Sequence, residues 1–283
     1  MLRFVSRLSL GLICFGSVAV AGQLNELPGL QLYSLRSQFK LRGADWTLDQ
    51  VKALGIKTVE LASGVPDLTP LEMKKKLDER GLTAISSHFS YKRYKDDVAG
   101  IIQDAKTLGL KYVGCAWIDH KDAFDEAECR DAINTFNQAG EALAKEGIGL
   151  YYHFHGFEFQ PHGDGTLFDL FMKETKPEFV SCQMDVLWIV FPGQSPVQLL
   201  KKYPNRWILS HLKDLRKGVA TGSLTGHTDV NNNVPLGTGQ VDWKSFFKAA
   251  SEAGIKHHLI EDESDSVLKQ MPQHLDYLKT LSW

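Results

Sequence analysis

The sequence predicts an α/β protein of the (β/α)8 TIM-barrel class. A helix end, a glycine and a short apolar strand follow one another five times, at Gly55, Gly81, Gly109, Gly147 and Gly254. Glycine suits the left-handed conformation that closes a helix, and helices that alternate with strands indicate parallel βαβ units. Eight strands can be counted, with a helix after most of them, which is typical of a closed eight-stranded barrel.

The elements follow in order from these apolar runs and from the residues that begin helices. Thr69 with Glu72 forms a capping box, and Ser195 and Asp242 are typical N-cap residues. The last helix, over residues 267–278, closes the ring. The predicted strands lie at residues 30–33, around Glu60, up to His88, up to about Trp117, from Tyr151 onward, at 180–185, at 207–211 and up to Glu261.

The first 21 residues are predicted to be a secretory signal peptide. Arg3 and Arg7 give a basic start, residues 8–21 are almost wholly apolar, and Ala19-Val20-Ala21 fits a cleavage site. An uncleaved membrane anchor is the alternative, although the apolar run is short for a membrane span. We therefore expect a secreted or periplasmic protein, with a single TIM-barrel domain over residues 22–283 and no stable membrane span after cleavage.

Composition and charge exclude some classes of protein. The chain is 43% hydrophobic and 23% charged, with a formal net charge of -2. Proteins that bind nucleic acids usually have a basic face, so this balance argues against a nucleic-acid partner. Cys115, Cys129 and Cys182 follow the leader, an odd number without close spacing, and Cys115 and Cys182 are expected to be small buried strand residues.

The stretch from Tyr151 to Phe159 contains two histidines and one carboxylate among five aromatic residues. Side chains alternate along a strand, so His153 and His155 should point the same way, with Glu158 just past the strand end. Such groups suit a metal site or acid–base chemistry. The alternative is two core histidines, satisfied by backbone carbonyls, and a surface glutamate.

Most of the predicted strands bring an ionisable group to the same end of the barrel. Active sites of TIM barrels lie at the carboxyl ends of the strands. Clustered carboxylates resist ionisation unless a counter-charge is present, and a divalent cation supplies one. We therefore predict one bound Mn²⁺, Mg²⁺, Co²⁺ or Zn²⁺. The residues at this mouth are Glu60, His88, His153, His155, Glu158, Asp185, His211 and Glu261.

A long polar segment, residues 216–240, separates the seventh strand from the next helix. Loops of this length in a compact domain are usually lids or binding loops. A floppy insertion is the alternative.

Five motifs resemble the sugar isomerase/epimerase family, which has a xylose-isomerase-like barrel. The resemblance covers essentially the whole chain after the leader, and it implies a single metal ion held by residues of strands five to eight. Asp185, His211 and Glu261 match three of these positions; for strand five, Glu158 is preferred and His155 is second, although the position of the relatives' glutamate falls near His153. The motifs begin at Gly29, His153, Met184, His211 and Pro235.

The resemblance also implies catalysis by an acid–base pair of metal-bound glutamates, Glu158 and Glu261 in this chain. Lys213 lies two residues beyond His211, on the same strand face, and could hold a hydroxyl or an enediolate oxygen, or else form a surface ion pair with Asp214. His88 and His153 are candidate proton carriers. Candidates for substrate contact are Glu60 for hydroxyls, His155 in the same mouth, and Tyr33, Phe89, Trp117 and Trp188 for stacking, with barrel packing or backbone capping as the alternative.

These residues predict a metal-dependent isomerase or epimerase that forms an enediolate from a carbohydrate substrate. A lyase or hydratase, such as an inosose dehydratase or an enzyme of 3-keto-glycosides, is the alternative outcome of the same chemistry. The sequence has no phosphate-binding glycine loop, so we expect an unphosphorylated sugar. A DNA-repair endonuclease and a non-catalytic carbohydrate-binding barrel are less favoured, and the family resemblance implies a possible homodimer.

Overall fold

Eight parallel strands close into a barrel in the computed structural model, which describes residues 22–24 and 26–283. Neighbouring strands pair in chain order, and the first strand closes the ring against the eighth, with Leu30 beside Ile260. The predicted TIM-barrel class is confirmed. A strand overlaps each predicted position, although the first ends at Gln31, where the 3-10 helix Leu32–Leu35 begins, and the fourth ends at Cys115. Barrel strands one to eight are Gly29–Gln31, Thr58–Leu61, Thr83–His88, Tyr112–Cys115, Gly149–His153, Val180–Asp185, Trp207–Leu212 and His257–Ile260.

Helices surround the barrel, and their starts agree with the sequence. The capping box of Thr69 and Glu72 is present, and the side chains of Ser195 and Asp242 cap their helices. The helices are Arg36–Ala53, Pro70–Asp78, Tyr91–Asp96, Val98–Leu108, Glu126–Lys145, Leu167–Glu174, Val186–Val190, Pro196–Lys202, Trp243–Glu252 and Val267–Thr280.

The barrel interior is filled below the mouth by a small apolar cluster of Ile85, Tyr151, Leu209 and Leu259. The Tyr151 ring needs the space left by Gly114, because a Cβ on Gly114 would come within 2.3 Å of that ring. Interior side chains of this kind form a packed floor rather than a pore. Any substrate must therefore enter and leave through the mouth.

The register of the strands aligns the polar residues at the mouth. His153 lies beside Gln183 across strands five and six, and Asp185 lies beside His211 across strands six and seven. The backbone amide of Glu261 donates a hydrogen bond to the carbonyl of Leu212, which places Glu261 just beyond strand eight. Residues far apart in sequence are thus brought to one rim.

The segment 216–240 packs over the mouth. Its base is a two-stranded antiparallel sheet of Asp214–Leu215 and Asn233–Val234. Near its tip, Gly226 approaches the Trp117 ring so closely that a Cβ would come within 2.5 Å of it. This placement agrees with a lid or binding loop rather than a floppy insertion.

Three remaining predictions concern cysteines and the N-terminus. Cys115, Cys129 and Cys182 are free and buried, as expected for Cys115 and Cys182. No helix among residues 22–24 and 26–283 is long and apolar enough to cross a membrane. The predicted signal peptide, residues 1–21, lies outside the described residues and stays a prediction.

Candidate metal centre and active site

Asp185, His211 and Glu261 converge at the mouth, as the sequence predicted. Their donor atoms lie within 4.8 Å of one another, and all three side chains are buried. His211 Nδ1 is 3.1 Å from Glu261 Oε2 and 3.8 Å from Asp185 Oδ2. An imidazole with two carboxylates suits a borderline divalent cation such as Zn²⁺ or Mn²⁺.

One oxygen of Asp185 lacks any hydrogen-bond donor among the described residues. Asp185 Oδ1 accepts a hydrogen bond from the Trp188 amide at 3.0 Å, whereas the buried Oδ2 has no such partner. Burial raises the pKa of Asp185, and Lys213 and His211 offset this only in part. A buried carboxylate oxygen without a donor is costly, and a bound cation would satisfy it.

Lys213 points into this mouth and does not form a surface ion pair. Its Nζ lies 3.2 Å from Glu261 Oε2 and 3.6 Å from Asp185 Oδ2, and it also contacts Glu263. Burial alone would lower the pKa of Lys213, but Glu261, Glu263 and Asp185 raise it above its usual value. The ammonium also lies 5.2 Å from the centre of the Trp188 ring. Lys213 is therefore a buried, charged group at the site.

Glu60 does not face the substrate space, which corrects the prediction that it would bind sugar hydroxyls. It is fully buried, and its Oε1 accepts a hydrogen bond from His211 Nε2 at 2.5 Å. This bond leaves His211 Nδ1 as the nitrogen that faces Asp185 and Glu261. Burial alone would raise the pKa of Glu60, but the imidazoles of His88 and His211 lower it to about 2. The other donors to Glu60 are Gln31, Ser86, Tyr151 and Gln183.

Gln183, which the sequence did not single out, fixes the tautomers of two histidines. Its amide nitrogen donates to both oxygens of Glu60, at 3.1 and 3.0 Å, so its Oε1 must act as an acceptor. This oxygen accepts from His88 Nε2 at 3.0 Å and from His153 Nδ1 at 2.9 Å. The free lone pairs are therefore on His88 Nδ1 and His153 Nε2. Burial lowers the pKa of both histidines, which favours their neutral forms.

The strand-five residue nearest to the cluster is His153. Its Nε2 lies 4.0 Å from Asp185 Oδ2. His88, His153 and His211 also form a second group with nitrogens within 4.8 Å of one another. One nitrogen of each imidazole in this second group is already engaged by Gln183 or Glu60, and the group has no carboxylate. The cluster of Asp185, His211 and Glu261 is therefore the better cation site.

Glu158 is not brought to this cluster, which corrects its prediction as metal ligand and as catalytic group. Its Oε1 accepts from the Tyr152 hydroxyl at 2.6 Å, and both of its oxygens accept from the His155 amide. Tyr152 faces the outer helices, where it packs against Phe136 and Phe171. Strand five ends at His153, and the 3-10 helix Phe157–Phe159 then turns Glu158 toward this outer layer.

Glu158 should make stability depend on pH. Burial raises its pKa to about 7 from 4.5, and the hydrogen bonds from Tyr152 and His155 offset only part of this. A carboxyl group with a raised folded-state pKa stabilises the fold below its unfolded pKa. This contribution is lost as pH rises through the interval from 4.5 to about 7, by up to about 3 kcal/mol.

Glu158→Gln removes this titration. As pH rises from 5 to 8, the free energy of unfolding of the variant should therefore increase relative to that of the unmodified protein. Urea unfolding at four pH values measures the difference. Glu178→Gln, at an exposed position, is the control and should follow the unmodified protein throughout. Parallel pH curves for Glu158→Gln and the unmodified protein would show that Glu158 ionises normally.

A cavity of about 410 Å³ opens above the cluster. His155, the second choice for the strand-five ligand, lines this cavity but belongs to neither candidate cation group. The Trp117 ring stacks on His120, with centroids 5.0 Å apart, so one of its faces serves packing. The other predicted contact residues that line the cavity are Tyr33, His88, Phe89, His153, Trp188 and Glu261.

Comparisons with known proteins agree with this fold. The chain is 27% identical to an inosose dehydratase of Geobacillus thermodenitrificans, over 78% of this chain and 82% of the relative. An inosose dehydratase of Clostridium botulinum is 26% identical, over 77% and 81% of the two chains. A crystal structure of a sugar phosphate isomerase/epimerase from Parabacteroides distasonis is 25% identical with a TM-score of 0.72, and the match covers 90% of this chain and 98% of that one.

Two of these relatives are named inosose dehydratase, which is a lyase, and the third is named sugar phosphate isomerase/epimerase. The protein is an enzyme, as the sequence predicted. The family described as xylose isomerase-like TIM barrel matches residues 48–282. This match spans most of the chain and confirms the resemblance drawn from the motifs. The chain belongs to the xylose isomerase-like TIM barrel family.

Proposed function

We propose that the protein is a divalent-metal-dependent carbon–oxygen lyase that acts on an uncharged keto-sugar. The observation that supports this most is the presence of His153, in place of a second carboxylate, at the strand-five position of the cluster. An epimerase of the glutamate-pair type needs two carboxylates that exchange protons with the substrate. Of the two glutamates predicted for this role, Glu261 lies at the cluster and Glu158 does not.

Asp185, His211 and Glu261 would hold the metal, with His153 Nε2 as the fourth donor. The unpartnered Asp185 Oδ2, the free Nε2 lone pair of His153 and the His211 Nδ1 that faces Asp185 and Glu261 fit such an ion. Two imidazoles with two carboxylates favour Zn²⁺, Co²⁺ or Mn²⁺ over Mg²⁺. When bound, the cation would polarise the substrate carbonyl and make the adjacent C–H bond more acidic.

His88 is the base in this proposal. Gln183 accepts a hydrogen bond from its Nε2, so Nδ1 has the lone pair that takes the proton next to the carbonyl. The imidazolium then returns this proton to the oxygen that leaves the neighbouring carbon, as the C–O bond breaks and a C=C bond forms. The same residue thus serves both half-steps, and no outside acid is needed.

Lys213 supports the negative charge that develops on the substrate oxygen. Its ammonium is buried and held by Glu261 and Glu263. A fixed positive charge in a site that excludes water stabilises such a charge more strongly than water does. Lys213 therefore acts as an electrostatic stabiliser rather than as a proton donor.

The cavity supports an uncharged substrate. Among the described residues that line it, none is a lysine or arginine, whereas Asp119, Glu261 and Glu263 are acidic. A phosphate group would meet these carboxylates, and the cation of the site, the Lys213 ammonium, is buried outside the lining and already engaged by Glu261 and Glu263. Export, which residues 1–21 predict, would also favour unphosphorylated sugars.

Isomerisation or epimerisation, which the sequence placed first, remains the second candidate. The structural similarity to the isomerase/epimerase of Parabacteroides distasonis favours it. Elimination is preferred to epimerisation because one base, His88, accounts for both proton transfers, whereas epimerisation needs a second proton carrier on the opposite face of the substrate. It is preferred to isomerisation, which one base can also perform, because of the similarity to the two inosose dehydratases.

The test is to reconstitute chelator-treated protein with Zn²⁺, Mn²⁺, Co²⁺ or Mg²⁺ and to add ketoses, inososes and 3-keto-glycosides in D₂O. Under the proposal, NMR shows a new C=C bond only in metal-loaded samples. Incorporation of deuterium without loss of oxygen would instead establish the isomerase or epimerase.

His88→Ala should lower kcat by about a hundredfold or more while the metal content stays unchanged. His257→Ala, at the opposite end of the barrel on strand eight, is the control and should keep full turnover. Unchanged kcat in His88→Ala would remove His88 from the reaction.

A further inference from the structure

The cavity continues well beyond the cluster at its floor. Its inner end is formed by buried His88, His153 and Glu261. Its outer end is a rim of exposed side chains that follow barrel strands one to four or belong to the segment 216–240, which are Tyr33, Ser63, Ser90, Asp119 and His227. A ligand at the floor alone leaves this rim without a function.

The size of the cavity exceeds what one sugar ring needs. A hexose has about a dozen heavy atoms, and at roughly half a water volume for each it occupies on the order of 200 Å³. The cavity measures about 410 Å³. A monosaccharide bound at the floor would therefore leave room for a second ring of similar size.

The rim has the chemistry that binds a sugar ring. Tyr33 is 38% exposed, and the Arg36 guanidinium lies over its ring at 4.6 Å, which orients the ring. His227 from the segment 216–240 lies against the Trp117 ring at 5.3 Å. Aromatic side chains pack against the apolar faces of pyranoses, while Ser63, Ser90 and Asp119 can bond to hydroxyls.

We propose that this rim is a second subsite, and that the substrate is an uncharged glycoside with two rings rather than a free monosaccharide. The first ring lies over the cluster of Asp185, His211 and Glu261, and the second lies between Tyr33 and His227. This inference rests on the proposed function for the placement of the first ring. It adds a size class for the substrate and a role for the segment 216–240.

The experiment measures binding without turnover, by calorimetry of the metal-loaded protein with glucose and with cellobiose, maltose, lactose and trehalose. At least one disaccharide should bind about tenfold tighter than glucose. Tyr33→Ala, and separately His227→Ala, should reduce this preference roughly fivefold to tenfold. Trp46→Ala removes an exposed aromatic residue outside the cavity and should leave the preference unchanged.

Equal affinities for glucose and every disaccharide would overturn the subsite. It would also be overturned if the Tyr33→Ala protein preferred disaccharides to glucose as strongly as the unmodified protein does. These results are separate from the lyase test. A lyase that turns over free keto-sugars and shows no preference for disaccharides keeps the proposed function and loses the subsite. A disaccharide preference without metal-dependent turnover keeps the subsite and loses the proposed function.

Discussion

Asp185→Asn is expected to abolish tight metal binding and to lower turnover by more than about a hundredfold. A hundredfold is the upper range of the loss expected when the changed residue only orients a metal ligand. Asparagine keeps an oxygen that can accept from the Trp188 amide, so the start of the following helix stays capped. The change removes the negative charge at Oδ2, the buried oxygen without a hydrogen-bond donor among the described residues. Metal analysis after dialysis, together with steady-state kinetics, measures both effects.

The metal-free Asp185→Asn protein should unfold at the same temperature as the unmodified protein or above it, because a buried carboxylate with a raised pKa has been neutralised. Asp122→Asn, at an exposed position, is the matched control and should retain metal and activity. A normal metal content in Asp185→Asn would exclude the assigned centre.

Glu60→Gln should weaken metal affinity by about tenfold to a hundredfold, although Glu60 is not a ligand in the proposed centre. The carboxylate accepts the Nε2 proton of His211 and so leaves Nδ1 for the cation. A glutamine oriented with its amide nitrogen toward His211 would favour the other tautomer. The substitution also leaves several buried donors short of an acceptor, so the melting temperature should fall. Metal titration by calorimetry and a thermal melt measure the two effects.

Tyr151→Phe is the matched control for Glu60→Gln. It removes one donor to Glu60 Oε2, at 2.7 Å, and leaves the bond between Glu60 Oε1 and His211 in place. Metal affinity should therefore change little, while stability falls by about 1 kcal/mol. Equal losses of metal affinity in the two variants would mean that Glu60 acts through general packing and not through His211.

The barrel could be predicted because its signals are local. Each of the five glycines that ended a predicted helix adopts the left-handed conformation, from φ 66° at Gly81 to φ 79° at Gly254. Asp185, His211 and Glu261 could also be placed, since the ends of parallel strands meet at one rim whatever the exact register.

Glu158 and Glu60 were misplaced because their orientation depends on contacts that are distant in sequence. The alternation of side chains stops at His153, and the 3-10 helix after it turns Glu158 outward. Glu60 does lie near a strand end, but donors from several other strands enclose it. Neither the turn nor the set of donors can be derived from the residues around these two glutamates.

Gln183 was missed for a different reason. It lies two residues before Asp185 on the same strand, so alternation alone puts both side chains on one face. Its amide does not ionise, so the pattern of titratable groups at the mouth does not reveal it. Its register with Asp185 is the signal in the sequence that places it beside His88 and His153.

The residue after Lys213 has a consequence for how the enzyme can diversify. Asp214 accepts hydrogen bonds from the amides of Gly237 and Gly239 at 2.9 and 3.1 Å, and from Trp243 Nε1 at 2.9 Å. It thus fastens the returning arm of the segment 216–240 to the strand that supplies Lys213. We therefore expect that residues 217–231 can be exchanged for loops of other lengths or compositions without loss of the reaction centre, which would offer a route to altered selectivity by loop grafting.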